Sequence, residues 1–226
     1  TVMGLGNDAV LDGFGLKVDG EQNVIIGNLT FQNSSDDGVT IEDGAHHVWV
    51  HDNNFLPNFD GALDVRRSAS YITVAWNRFI GTDKTMLVGS SDTEFESIGN
   101  MKVTYHHNWF DGSVQRNPRI RFGEVHIFNN YYDQVSSYGV VSVQFADVVV
   151  QGNYFDIANN RPAVSTGGVA ESPHKGDAVV CDNFIETNGG TIETRGTAFD
   201  PGGFYSYNME SAADARTSVM SFAGVQ

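Results

Sequence analysis

The chain is poor in cysteine and in positive charge, and it lacks any long apolar run. One cysteine, Cys181, in 226 residues excludes an internal disulfide framework and leaves the compartment open. With 13 Lys and Arg against 28 Asp and Glu, the formal net charge is -15. That balance argues against nucleic acid or an anionic membrane as partner, because counterion release needs a basic surface. No segment approaches the length of a transmembrane helix, and the first residues carry no basic-then-apolar leader pattern. An exported protein would have lost its leader ahead of Thr1. A Ser-His-Asp order, a P-loop, a dinucleotide fingerprint and zinc-ligand spacing are all missing. What is present is 40% hydrophobic and 12% aromatic residues, enough for a substantial core, in a length that suits one domain or two, all-β barrels and solenoids of this size commonly being single.

Six segments share the form apolar-x-apolar-x-x-Asn-x-aromatic or apolar: VWVHDNNF, ITVAWNRF, VTYHHNWF, VHIFNNYY, VVVQGNYF and AVVCDNFI. A seventh, NVIIGNLTF, carries its asparagine one place early. The aligned residues are Asn53, Asn77, Asn108, Asn130, Asn153 and Asn183, separated by 24, 31, 22, 23 and 30 positions. Each unit opens as a β-branched alternation, the pattern of a strand with one buried face. It then meets an asparagine suited to a left-handed turn. Intervals this short leave no room for a helix if each holds two more strands, so the repeats imply a parallel β-solenoid, one coil per repeat. Stacked coils would lie ~4.8 Å apart, with the asparagines forming an amide ladder. The two longer intervals imply inserted loops, within TDKTMLVGSSDTEFESIG and RPAVSTGGVAESPHKG, and solenoid loops carry function. From about Gly189 the repeat is lost, which implies an irregular covering segment at the end of a single domain spanning 1–226.

Two charge constellations stand out. Asp37 and Asp60 lie one coil apart, and Asp60 and Asp64 would share a strand face. Two carboxylates ~5 Å apart repel by roughly 3 kcal/mol at an effective dielectric of 20. Such a group either holds a proton or binds a hard cation, Ca²⁺ rather than zinc given the all-oxygen donors; ordinary turn aspartates are the alternative. The basic set is Lys84 with Arg116, Arg119 and Arg121 in SVQRNPRIRF. Lys84 and Arg116 are one long coil apart, and Arg119 and Arg121 share a face if a strand begins after Pro118. Guanidinium groups grip carboxylates in a bidentate fork, which suits an acidic substrate; a charge-blunted strand edge is the bland alternative. The histidines, paired at His46-His47 and His106-His107, read as structural or surface groups.

The blocks NVIIGNLTF, SYITVAWNRF, DKTMLVGSSD and VTYHHNWFDGSVQRNPRIRFGEVHIFNNYY resemble the pectate lyases of the parallel β-helix polysaccharide lyase group. The resemblance runs from about Thr1 to Tyr132 and weakens afterwards. It implies a right-handed parallel β-helix that cleaves α-1,4-linked polygalacturonate by β-elimination. It also implies a secreted monomer acting on plant cell-wall polysaccharide. By the family's pattern, Asp37, Asp60 and Asp64 fall at Ca²⁺-binding positions, and Lys84 and Arg121 fall at substrate-binding positions. Arg116 falls at the position of the catalytic base.

An arginine base needs a cationic neighbourhood, because an ordinary guanidinium holds its proton beyond pH ~12, and an alkaline activity optimum is the consequence. Three departures accompany the resemblance. The family's Trp-x-Asp-His reads here as Trp49, Val50, His51, Asp52, with the last two swapped. Family members carry further chain, including a cap, ahead of the segment matching Thr1. Asp36 adjoins Asp37 rather than preceding it by two. A pectin lyase acting without Ca²⁺ is the nearest rival, disfavoured because the three acids remain. A non-catalytic polysaccharide-binding solenoid is another, and a hydrolase with paired carboxylates a third.

Overall fold

Every repeat lays down a short strand whose alternate aliphatic side chains turn inward, and the next repeat sets the same strand beside it. In the computed structural model, which describes residues 1–170, 172–186 and 190–226, this stacking builds three sheets. The first holds eight strands, among them Gln22–Gly27, His46–His51, Ser70–Ala75, Lys102–His106 and Glu124–Phe128. The second holds eight short strands just beyond the asparagines, such as Arg78–Ile80 and Trp109–Asp111. The third holds seven: Leu16–Asp19, Val39–Glu42, Gly61–Val65, Lys84–Val88, Arg119–Arg121, Val140–Val143 and Val164–Ser165. Neighbouring strands pair in parallel, so the expected parallel β-helix is what forms.

The amide ladder runs unbroken from Asn53 to Asn183. Each Nδ2 donates to the next Oδ1 at 2.9–3.1 Å. Two residues beyond each ladder asparagine from Asn53 to Asn153, and beyond Leu29 in the first repeat, an aromatic ring enters the core. Phe31, Phe55, Phe79, Phe110, Tyr132 and Phe155 form one stack with centroid separations of 4.3–5.4 Å. The left-handed residue is not the ladder asparagine but the one before it. Asn28, Asp52, Trp76, His107, Asn129 and Asp182 all have φ between 53° and 59°. The asparagine itself is held by its amide, which bridges the turn: Asn77 Nδ2, for instance, also donates to the Ala75 and Val50 carbonyls. In the first repeat Leu29 fills the ladder slot and donates its N–H to Asn53 Oδ1, while Asn28 takes the left-handed turn.

The two long intervals resolve into strand plus loop. Lys84–Val88 is a regular strand of the third sheet, and the extra chain is the loop 89–101 that follows it, with a 3-10 turn at Phe95–Ser97. Val164–Ser165 likewise precedes the second loop, described over 166–170 and 172–176. The expected boundary at Gly189 lies outside the described residues. Beyond it the chain is more ordered than an irregular covering segment. Ser211 caps the helix Ala212–Phe222 by accepting from the Asp214 N–H, and Ala212, Ala215 and Val219 form its buried face. The last residues run back along the coils, where the Gly224 N–H donates to Trp76 O (2.8 Å) and that of Gln226 to Asn28 Oδ1 (2.9 Å).

Candidate active site

The outward face of the third sheet carries the charge. Register aligns Thr40 with Asp64, Asp64 with Leu87, and Leu87 with Arg119. The residues flanking them, including Val39, Leu63, Val65, Met86, Val88 and Ile120, point into the core. One row of side chains is therefore forced outward, passing from acidic to basic across strands ~4.8 Å apart.

At the acidic end, Asp36, Asp37 and Asp60 can each offer a carboxylate oxygen within 4.8 Å of the others. Asp36 and Asp37 lie in the turn before Val39–Glu42, so the alternation of a strand does not separate them. Asp37 is buried; its Oδ2 accepts from Thr40 Oγ1 (3.1 Å), while Oδ1 is buried without a hydrogen-bond partner among the described residues. Burial, then the Asp36 charge, raises its pKa. Asp64 is one strand over, outside that close trio, and its pKa is raised well above the carboxylate range by burial and next by Asp37. Gly61 lies between them. A Cβ there would stand 2.8 Å from Asp37 Oδ1 and 3.6 Å from Asp64 Oδ1, so the missing side chain leaves a space bordered by both oxygens. A buried carboxylate oxygen with no donor, facing such a space among like charges, fits a hard cation such as Ca²⁺.

Lys84 begins the next strand, pairing with Gly61 on one side and Gln115 on the other. Its Nζ donates to Asp60 Oδ1 at 2.6 Å, joining the acidic and basic ends. Arg116 follows Gln115 with φ 58°, and its carbonyl accepts from the Met86 N–H at 2.7 Å. Asn117, fully buried, fixes this turn by donating Nδ2 to Tyr138 O and accepting from Ser113 Oγ. Among the described residues, no hydrogen bond or ion pair engages the Arg116 guanidinium, whose charge is felt at Asp64 and Tyr138.

Arg119 and Arg121 do share a face, with Ile120 between them in the core. Burial, then the Arg121 charge, lowers the Arg119 pKa. Arg121 is only 8% exposed; its Nε donates to Asp92 Oδ1 (2.6 Å) and Nη1 to Gly89 O (2.9 Å).

The third sheet and the turns leading into its strands thus bring together all six expected residues, Asp37, Asp60, Asp64, Lys84, Arg116 and Arg121, and add Asp36 and Gly61, with Asp92 from the loop that follows Lys84–Val88. The position of Gly61 between two of the acids was a visible signal; Asp92 lay in an inserted loop, where coil spacing fails. His51 and Asp52 stand apart from this face. They pair with each other (2.7 Å) at the end of a first-sheet strand, where His51 stacks on Trp49 at 3.8 Å.

The family model for pectate lyase matches residues 1–226, so the likeness extends past Tyr132 to Gln226. A pectate trisaccharide-lyase of Bacillus licheniformis is 34% identical over 236 residues, covering 100% of this chain and 66% of that protein. One from Thermotoga maritima is 43% identical over 153 residues, covering 62% of this chain and 41% of that protein. The chain thus spans a little under two thirds of the first relative and less of the second. Among solved structures, a pectate lyase from Bacillus sp. N165 in complex with trigalacturonate superposes with a TM-score of 0.88 at 30% identity, covering 99% of this chain and 74% of that one. The chain belongs to the pectate lyase family.

Proposed function

We propose that the chain is a Ca²⁺-dependent pectate lyase, secreted, that cleaves α-1,4-linked polygalacturonate by β-elimination and leaves unsaturated oligogalacturonides. The observation that carries this reading is the unengaged Arg116 guanidinium, set between the acidic group and the Arg119–Arg121 pair. Asp37, Asp60 and Asp64, with Asp36 beside them, would hold the cation. When bound, Ca²⁺ would supply positive charge that offsets the substrate carboxylate. Lys84 and Arg121 would bind that carboxylate and stabilise the charge building on it as the C5–H bond breaks. Arg116 would accept the C5 proton. The electron pair forms the C4–C5 double bond while the C4–O bond breaks, and the glycosidic oxygen leaves. An arginine base favours activity above neutral pH, and a maximum well below neutral would contradict it.

The test is growth of ultraviolet absorbance from the unsaturated product on polygalacturonate, with Ca²⁺ or with EDTA. Growth that EDTA abolishes and added Ca²⁺ restores is the expected result. Growth on esterified pectin indifferent to EDTA would indicate the pectin lyase rival, and no product on either polymer would overturn catalysis.

A further inference from the structure

The two inserted loops meet at one side chain. Asp92 lies in the loop following Lys84–Val88, and Ser172 lies in the loop following Val164–Ser165. Ser172 Oγ donates to Asp92 Oδ1 at 3.0 Å, and Arg121 Nε donates to the same oxygen at 2.6 Å. The Asp92 carbonyl accepts from Gln144 Nε2, while Gln144 is tied to His174 through both its backbone N–H and its Oε1. The Asp92 turn is therefore clamped by the strand beneath it, by the coil beyond and by the second loop. Gly89, on the same turn, has φ 79° and packs so closely on Arg121 that a Cβ would stand 2.9 Å from Arg121 Cβ. Its carbonyl takes Arg121 Nη1. With Nε and Nη1 both engaged, Nη2 is the one guanidinium nitrogen of Arg121 without a hydrogen-bond partner among the described residues.

We propose that Asp92 is a positioning residue: it fixes the plane of the Arg121 guanidinium so that Nη2 is presented to a galacturonate carboxylate, and the two inserted loops meet on it for that purpose. The proposal rests on the lyase reading above, in which Arg121 binds substrate. A long arginine side chain free to rotate loses rotamer freedom on binding a carboxylate, and one already held does not. A charge-assisted bond to Nε also leaves the fork's outer edge in a defined direction. The Asp92 carboxyl is held below its ordinary range, where burial acting upward is outweighed by the Arg121 and Ser172 bonds, so it is ionised wherever the enzyme would work.

The experiment measures steady-state kcat and KM on polygalacturonate for wild type, Asp92→Ala and Asp92→Asn. The Ala variant is expected to raise KM about 10-fold with a smaller change in kcat. Asn keeps an oxygen acceptor for Nε and Ser172, and is expected to restore most of the lost KM. In an Arg121→Lys background, which cannot form the same pair, Asp92→Ala should add little. If the Ala variant does not fold, Asp92→Glu, which displaces the acceptor by one methylene, carries the same expectation of a raised KM. A wild-type KM in Asp92→Ala or Asp92→Glu, or an undiminished effect in the Arg121→Lys background, would overturn the proposal. An inactive wild type would instead overturn the lyase reading.

Discussion

At Gly61, an absent side chain decides what three carboxylates can do. The space over its Cα is bordered by Asp37 Oδ1 and Asp64 Oδ1, and Lys84 from the next strand reaches Asp60 beside it. Gly61→Ala would set a methyl 2.8 Å from Asp37 Oδ1 and 2.9 Å from the Lys84 carbonyl, so one of them must move. The expected outcome is at least a ~10-fold rise in the Ca²⁺ concentration for half-maximal activity, or ~1.4 kcal/mol, read from a Ca²⁺ titration of rate. An unchanged titration would remove the space over Gly61 from the cation site. At this scale, residues one coil apart were legible in the sequence: 23 positions brought Asp37 to Asp60, and 31 brought Lys84 beside Gln115. Asp36 was legible as the neighbour of Asp37 but not as a member of the close trio, because strand alternation does not govern a turn. Nor was the Arg121–Asp92 pair, because an inserted loop breaks the period that makes neighbours predictable.

Among the elements, the asparagine ladder links each coil to the next from Asn53 to Asn183, and its interior rungs are fully buried. Asn108 donates Nδ2 to Val74 O and Asn130 Oδ1, and its own Oδ1 accepts from both Asn77 nitrogens. Asn108→Ala strands several of these groups without water and should cost about 2–4 kcal/mol in urea denaturation, at roughly 1–3 kcal/mol per buried unsatisfied group. Asn183, the half-buried last rung, should cost less than half as much. Equal losses would mean that the ladder is not what joins the coils. The ladder and the aromatic stack were legible because period and residue type repeat together. The left-handed position was misplaced by one residue because its occupants, among them Trp76 and His107, have little in common chemically. The helix Ala212–Phe222 was overlooked once the repeat ended, although Ser211 and the spacing of Ala212, Ala215 and Val219 carry its cap and its face.

Across the whole molecule, a net charge of -15 coexists with a basic patch on one face. That patch consists of the cations Lys84, Arg116, Arg119 and Arg121, held beside a matching acidic group. Acid should unfold the protein through a different set of residues. Burial lowers His106 to about 3 and His126 to about 4, against an ordinary value near 6.5. Unfolded chains bind protons at these histidines below pH ~6.5 while the folded chain does not, so stability falls as pH drops from ~6.5 toward 4. The slope approaches ~1.4 kcal/mol per pH unit for each histidine. Urea midpoints measured from pH 8 to pH 5 should decline mainly below 6.5, and a flat profile would contradict the burial of these rings.

The account as a whole turns on Arg116 as the group that takes the C5 proton. The most direct measurement is the initial rate of unsaturated-product absorbance on polygalacturonate for wild type and Arg116→Ala, with circular dichroism recorded on both. The account predicts a fall of about 10²–10⁴-fold, the usual contribution of a positioned base, with an unchanged spectrum. Wild-type turnover in a folded Arg116→Ala variant would contradict it.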